Sequence, residues 1–122
     1  MKLLTESANY QILYEYEHVF LRARKTSRLV NIGDFYGEPQ VAIISESEDF
    51  CAVGGCGIIV YFIKEPFEEY KCHTENAQWR EWKRSDAAGI VWVDDIRHID
   101  EYRIEVLTED GRKIELNVNA GW

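Results

Sequence analysis

The residues of this chain that invite chemistry are three cysteines, three histidines and a glycine run. Cys51-x4-Cys56, with Cys72-His73 much later, only loosely resembles the tight paired spacings that assemble four zinc ligands, so neither a metal nor another cofactor is expected. In Gly54-Gly55-Cys56-Gly57 a thiol stands on a sharp turn, and His73 or His98 with a carboxylate would complete the residue types for covalent catalysis. A strand-edge bulge needs the same glycines, and the run lacks both the Gly-x-Ser-x-Gly elbow and the Lys-Ser/Thr ending of a phosphate loop. The glycines therefore read as architectural. His18 shares parity with Tyr16 and Phe20, which suits a core or rim histidine better than a general base. His98 stands near Asp94, Asp95 and Asp100 and reads as their surface partner. Glu15 with Glu17, or Asp94 with Asp95, would be an acid pair only if the fold brought them to the right separation. No catalytic residue is assigned; a small cysteine- or carboxylate-dependent hydrolase stays as an alternative.

The distribution of acid says more. With 22 acidic against 14 basic side chains the formal charge is -8, a poor starting point for competing for phosphate backbones or anionic lipid. Nucleic acid and membrane are not expected as partners, whereas a basic protein is. Asp34 and Glu38, the Glu46, Glu48 and Asp49 loop, Glu68, and Asp94 with Asp95 place negative charge on expected loops. Tyr36 and Phe67 lie among them as aromatic anchors. Aromatic anchors within charge that steers encounter are what an interface for a basic protein uses, so these ten residues are the expected partner-binding set. Solubility alone accounts for the same acid count.

The elements that must position these residues read as mostly β. The 122 residues, 46% hydrophobic, suffice for one domain over 1–122, with no linker, repeat or low-complexity tract. The start lacks a signal-peptide pattern and no stretch reaches the ~18 apolar residues of a membrane helix. Together with cysteines read as reduced, this predicts a cytoplasmic protein. Tyr10 to Arg24 alternates unevenly and predicts one long strand with a wetter face; Leu29 to Ile32 and Gln40 to Ile44 predict short ones. Ile58 to Ile63 offers no polar face and predicts a central strand covered on both sides. Thr74 to Arg84 predicts a helix, with Thr74 as its cap, Trp79 and Trp82 three apart on one face, and Ser85-Asp86 or Gly89 as terminators. Laid on the sheet, it would cover the second face of 58–63. In the last hairpin a two-residue Asp110-Gly111 loop would put the apolar sets on opposite faces. A three-residue loop 109–111 pairs 106 with 114 and 104 with 116, which aligns them. The predicted fold is α+β: an antiparallel sheet, strongly curled or barrel- or sandwich-like, with one short helix packed against it.

Gly33-Asp34-x-x-Gly37-x-Pro39, Val41-Ala42-Ile43-Ile44-Ser45, the acidic loop, Cys51-Ala52-Val53-Gly54-Gly55-x-Gly57 entering an apolar strand, and Asp95-Ile96-Arg97 before the final hairpin span most of the chain. In style they resemble the small, acidic, single-domain immunity proteins of bacterial contact-dependent and polymorphic toxin systems. The resemblance implies a cytoplasmic inhibitor that binds a cognate toxin domain, often a basic nuclease, and occludes its active site or an exosite. A structural or assembly module that forms a homodimer through a sheet edge and Trp122 is the third reading.

Overall fold

The computed structural model describes residues 1–72, 74, 76–84 and 89–120. They form eleven strands in three antiparallel sheets, each a simple meander. The first sheet holds β1 (Lys2–Glu6), β2 (Tyr10–Glu15), β3 (His18–Ala23) and β4 (Leu29–Asp34) in chain order. The second holds β5 (Val41–Ile44), β6 (Phe50–Gly55), β7 (Gly57–Phe62) and β8 (Trp79–Trp82). The third holds β9 (Val93–His98), β10 (Arg103–Thr108) and β11 (Lys113–Asn117).

The second sheet lies between the other two, and the alternation of its side chains shows why. Cys51, Val53, Ile59 and Tyr61 join Ile12, Val19, Leu21, Val30 and Ile32 of the first sheet in one core. Phe50, Ala52, Ile58 and Val60 join Val93, Ile96, Ile104, Val106 and Leu116 of the third sheet in another. A strand with period two that is apolar on both parities must be covered twice. The expectation for 58–63 is met, with Ile58, Ile59, Val60 and Tyr61 at 0–1% exposure. At roughly 1.5–3 kcal/mol for each fully buried large aliphatic chain, this strand anchors both cores.

What covers the second face corrects the predicted fold class. The cover is the third sheet and not a helix: the described residues contain no helix, and no sheet closes or curls strongly. The structure is all-β. The residues read as a helix supply β8, and Trp79 and Trp82 explain the misreading. A spacing of three puts two side chains on one face of a helix but on opposite faces of a strand. Trp79 enters the first core and Trp82 packs against the second, which is possible only in a sheet buried on both sides. Glu75 and the expected terminators Ser85 and Asp86 lie outside the described residues.

The long strand over 10–24 is likewise two. Glu15 pairs with His18 across a two-residue turn, Tyr16-Glu17. Such a turn flips parity, so Ile12 and Tyr14 share a face with Leu21 and Val19, their cross-strand partners. The imperfect alternation at Val19 and Leu21 is the trace of this hairpin. The final hairpin has the expected register, Val106 opposite Ile114 and Ile104 opposite Leu116, with Gly111 left-handed at φ 88° in the three-residue loop. At the turn between β6 and β7, Gly57 has φ 71°, and a Cβ there would stand 2.4 Å from the Trp82 carbonyl oxygen. The close backbone approach expected of the glycine run is located at this residue.

Candidate protein interface

The two segments that meet at one end of the first sheet are the β2–β3 turn and the loop leaving β4. The Phe35 N–H donates to the Glu17 carbonyl (2.8 Å) and the Gly37 N–H to Glu17 Oε2 (2.6 Å), so the tips are tied together. Beneath the loop, Phe35 and Pro39 are buried. The Arg84 guanidinium lies 4.4 Å from the centre of the Phe35 ring. It also donates to the Cys56 carbonyl (3.0 Å), to the Asp34 carbonyl and to Glu81 Oε1 (2.9 Å). Tyr70 donates its hydroxyl to the same Glu81 oxygen at 2.6 Å, and burial pushes the Tyr70 phenol well above its ordinary range. On the far side of the loop the Gln40 N–H donates to the Gly54 carbonyl (2.8 Å).

So fastened, the loop and turn display their other side to solvent. Tyr16 is 75% exposed and Tyr36 76%, the two most exposed large hydrophobic side chains among the described residues. Around them stand Glu15, Glu17, Asp34 and Glu38. His18 also stands on this rim, its Nδ1 2.7 Å from Asp34 Oδ1. The hydrogen bond to Asp34 raises the His18 pKa above its ordinary value; slight desolvation opposes this, and the charges of Asp34, Glu17 and Glu15 add to it. Tyr16 has φ 54°, an uncommon conformation for a bulky side chain. Two displayed aromatics in a field of four carboxylates, on backbone that is already fixed, make a surface able to bind a basic protein at low ordering cost.

Of the ten residues expected to bind a partner, Asp34, Tyr36 and Glu38 come together here. The others scatter. Glu48 turns back on the fold: its carboxylate accepts from Ser7 Oγ, from the Asn9 N–H (3.0 Å) and from Asn9 Nδ2 (2.7 Å). Desolvation pushes this carboxyl up, but those hydrogen bonds together outweigh it and hold the group below its ordinary range. Asp49 accepts from Ser47 Oγ at 2.9 Å. Glu46 lines a cleft of about 510 Å³ with His98, Ile99, Asp100 and Glu101. Phe67 is half-buried edge-on against Tyr10, ring centres 6.4 Å apart, with Arg28 over its face. Glu68 accepts from Asn76 Nδ2 at 2.6 Å. On β9, Asp94 is exposed, while Asp95 accepts from the Ile96 N–H (2.9 Å) and from Arg97 Nε (3.1 Å).

Tyr16 joins the rim without having been expected there. Its signal was the parity flip after Tyr14, which marks a turn tip. As for nucleophiles, burial pushes the Cys51 thiol up to about 12, which leaves it protonated at neutral pH. Cys56 is buried, its backbone bridged to Trp92. His73 lies outside the described residues, and His98 lines a cleft that Cys56 does not. Among the described residues no three histidine, cysteine or carboxylate side chains are grouped as metal ligands, and no helix is long and apolar enough to cross a membrane. Comparison with family models, curated proteins and solved structures finds no match for the chain.

Proposed function

We propose that this protein is a stoichiometric inhibitor of the immunity-protein kind, acting in the bacterial cytoplasm on a cognate toxin domain with a basic surface. The observation that carries this reading is the rim itself: Tyr16 and Tyr36 displayed beside Glu15, Glu17, Asp34 and Glu38 on a loop clamped from below. The mechanism is occlusion. Carboxylates compete for the Arg/Lys surface that a nuclease turns to its substrate, and the tyrosines exclude water from the centre of the contact. Because the toxin is the basic partner and the inhibitor the acidic one, long-range attraction speeds encounter and makes association salt-dependent. The hydrolase alternative draws less support, because its thiol, Cys56, is buried and does not line the cleft that holds His98.

Calorimetry between the protein and the domain encoded immediately upstream of it, at two salt concentrations, tests this. The expected result is a one-to-one complex, weaker at high salt, that abolishes the partner's activity. Tyr36→Ala should cost about 2 kcal/mol of binding, the scale of an interface hot spot, while leaving the melting temperature unchanged. A folded neighbour that does not bind, or a Tyr36→Ala protein that binds like wild type, would sink the assignment.

A further inference from the structure

Four non-glycine residues among the described ones hold a left-handed φ: Tyr16 (54°), Ser27 (58°), Glu48 (60°) and Lys83 (51°). An L side chain crowds its own backbone in that conformation, most of all when it is bulky. Three of the four have a local account. The Glu48 carboxylate accepts hydrogen bonds from Ser7 and Asn9, and the Lys83 carbonyl accepts from the Val91 N–H (3.1 Å). Ser27 is small and sits in the β3–β4 loop, which the hydrogen bond from the Ala23 N–H to the Arg28 carbonyl (3.0 Å) closes.

Tyr16 has no such account. It is the first central residue of the two-residue turn between β2 and β3, where hairpins use Gly, Asn or Asp. Its side chain is 75% exposed and makes no hydrogen bond, ion pair or ring contact among the described residues. The fold thus carries a large aromatic in a crowded conformation and gains no packing from it. Strain and exposure without internal compensation mark a residue held for contact with something else. The tip is also stiff, because the Glu17 carbonyl and Oε2 accept from the Phe35 and Gly37 N–H groups (2.8 and 2.6 Å). The ring therefore stands on backbone that binding need not order. A two-residue turn is the narrowest end a pair of strands can have, so whatever receives its side chain is concave. Glu15 and Glu17 flank the ring and are exposed.

We infer that Tyr16 is the anchor of the proposed interface, a wedge that the β2–β3 turn inserts into a cleft of the partner, apolar at its floor and lined with Arg or Lys at its mouth. This rests on the inhibitor reading and adds to it the point of entry and the shape of the surface that is blocked. The ring fills the floor, and Glu15 and Glu17 meet the cations at the mouth. Tyr36, which is not among the strained residues, makes a second contact beside it.

The signature of a residue held at the expense of the fold is that its removal stabilises the chain and weakens binding together. Thermal melts of the full chain, and calorimetry against the domain encoded immediately upstream, test this on the wild type, Tyr16→Gly and Tyr16→Phe. Tyr16→Gly should melt about 3–5 °C higher, because glycine adopts the left-handed turn freely, and should bind about thirtyfold less tightly. Tyr16→Phe keeps the ring and the crowding, so it should melt like wild type and bind within a few-fold of it. A Tyr16→Gly chain no more stable than wild type overturns the inference, since the residue would then serve the fold. A stabilised Tyr16→Gly chain that binds like wild type overturns it too, and leaves the inhibitor reading standing on the rest of the rim. A wild-type chain that leaves its folded neighbour unbound overturns the inhibitor reading and the role of Tyr16 with it, so the wild-type titration tells the two failures apart.

Discussion

Residues 34–40 precede β5 and residues 45–49 follow it; both are short and acidic, and Glu38 of the one and Glu48 of the other use their carboxylates in opposite ways. Glu48 accepts three hydrogen bonds from Ser7 and Asn9, some forty residues back, and so pins the second sheet's loop to the turn between β1 and β2. The Ser45 hydroxyl accepts from the Asp49 and Phe50 N–H groups and closes the loop on itself. In the earlier loop the fastening is done by backbone N–H groups, a buried phenyl ring and a guanidinium. The side chains of Tyr36 and Glu38 make no hydrogen bond or ion pair among the described residues and stay available. Equal charge therefore does not mean equal availability. What separates an acidic staple from an acidic binding surface is the accounting of donors around each carboxylate.

The sharpest way to break this comparison is to remove the clamp under the displayed loop. Arg84→Met keeps the stem but removes the donor to the carbonyls of Cys56 and Asp34 and the cationic partner of Glu81, which keeps only the Tyr70 hydroxyl of the two donors described. With the Arg84 side chain only 12% exposed, the loss should be roughly 3 kcal/mol of stability by urea denaturation. Binding to the partner should fall as well, although Arg84 itself is out of reach. Unchanged stability and binding would mean that the loop holds its shape by itself.

How much of this was legible in the residues depends on the range of the deciding interaction. The last hairpin was readable because its register follows from the parities of Ile104, Val106, Ile114 and Leu116 together with one glycine. The doubly buried β7 was readable because no polar residue interrupts 58–63, but the identity of its second cover was not: a helix and a third sheet satisfy the same requirement. Trp79 and Trp82 fit both periods, and only the sheet's two cores decide between them. The β2–β3 turn was hidden because Tyr16 takes a left-handed conformation without the usual glycine or asparagine. In the site, Asp34, Tyr36 and Glu38 were found from composition, whereas the inward turn of Glu48 rests on partners too distant in sequence for any local pattern to reveal.

Glu48→Ala sharpens the contrast next. The staple should be worth about 1–2 kcal/mol of stability at neutral pH, with partner affinity unaffected. Because the folded carboxyl sits below its ordinary value of 4.5, its stabilisation is in place above that value and is lost as pH falls through the lower folded one. Thermal melts of wild type and variant should therefore differ most above about pH 5 and converge in acid. A variant as stable as wild type but deficient in binding would reverse the roles assigned to the two loops.

The smallest effect separates the loops by pH alone. His18 belongs to the displayed rim, and its bond to Asp34 raises its pKa above the ordinary 6.5. For a raised group the stabilising contribution is fully present below the unfolded value and disappears as pH rises through the folded one, so this pair adds its share on the acid side of neutrality. An NMR titration of the His18 ring should have its midpoint above 6.5, and Asp34→Asn should bring it back toward that value, because the first cause of the shift is removed. Protonating His18 also cancels part of the rim's negative charge, and a basic partner must then displace or tolerate that proton. Affinity should accordingly decline modestly as pH is lowered from about 8 to about 6, with the decline absent in His18→Gln. Over the same interval the Glu48 staple stays ionised and should register nothing. A His18 midpoint at the ordinary value would show that the carboxylates around it exert no collective field, and without that field the rim has no electrostatic advantage over the loop that keeps its acid for itself.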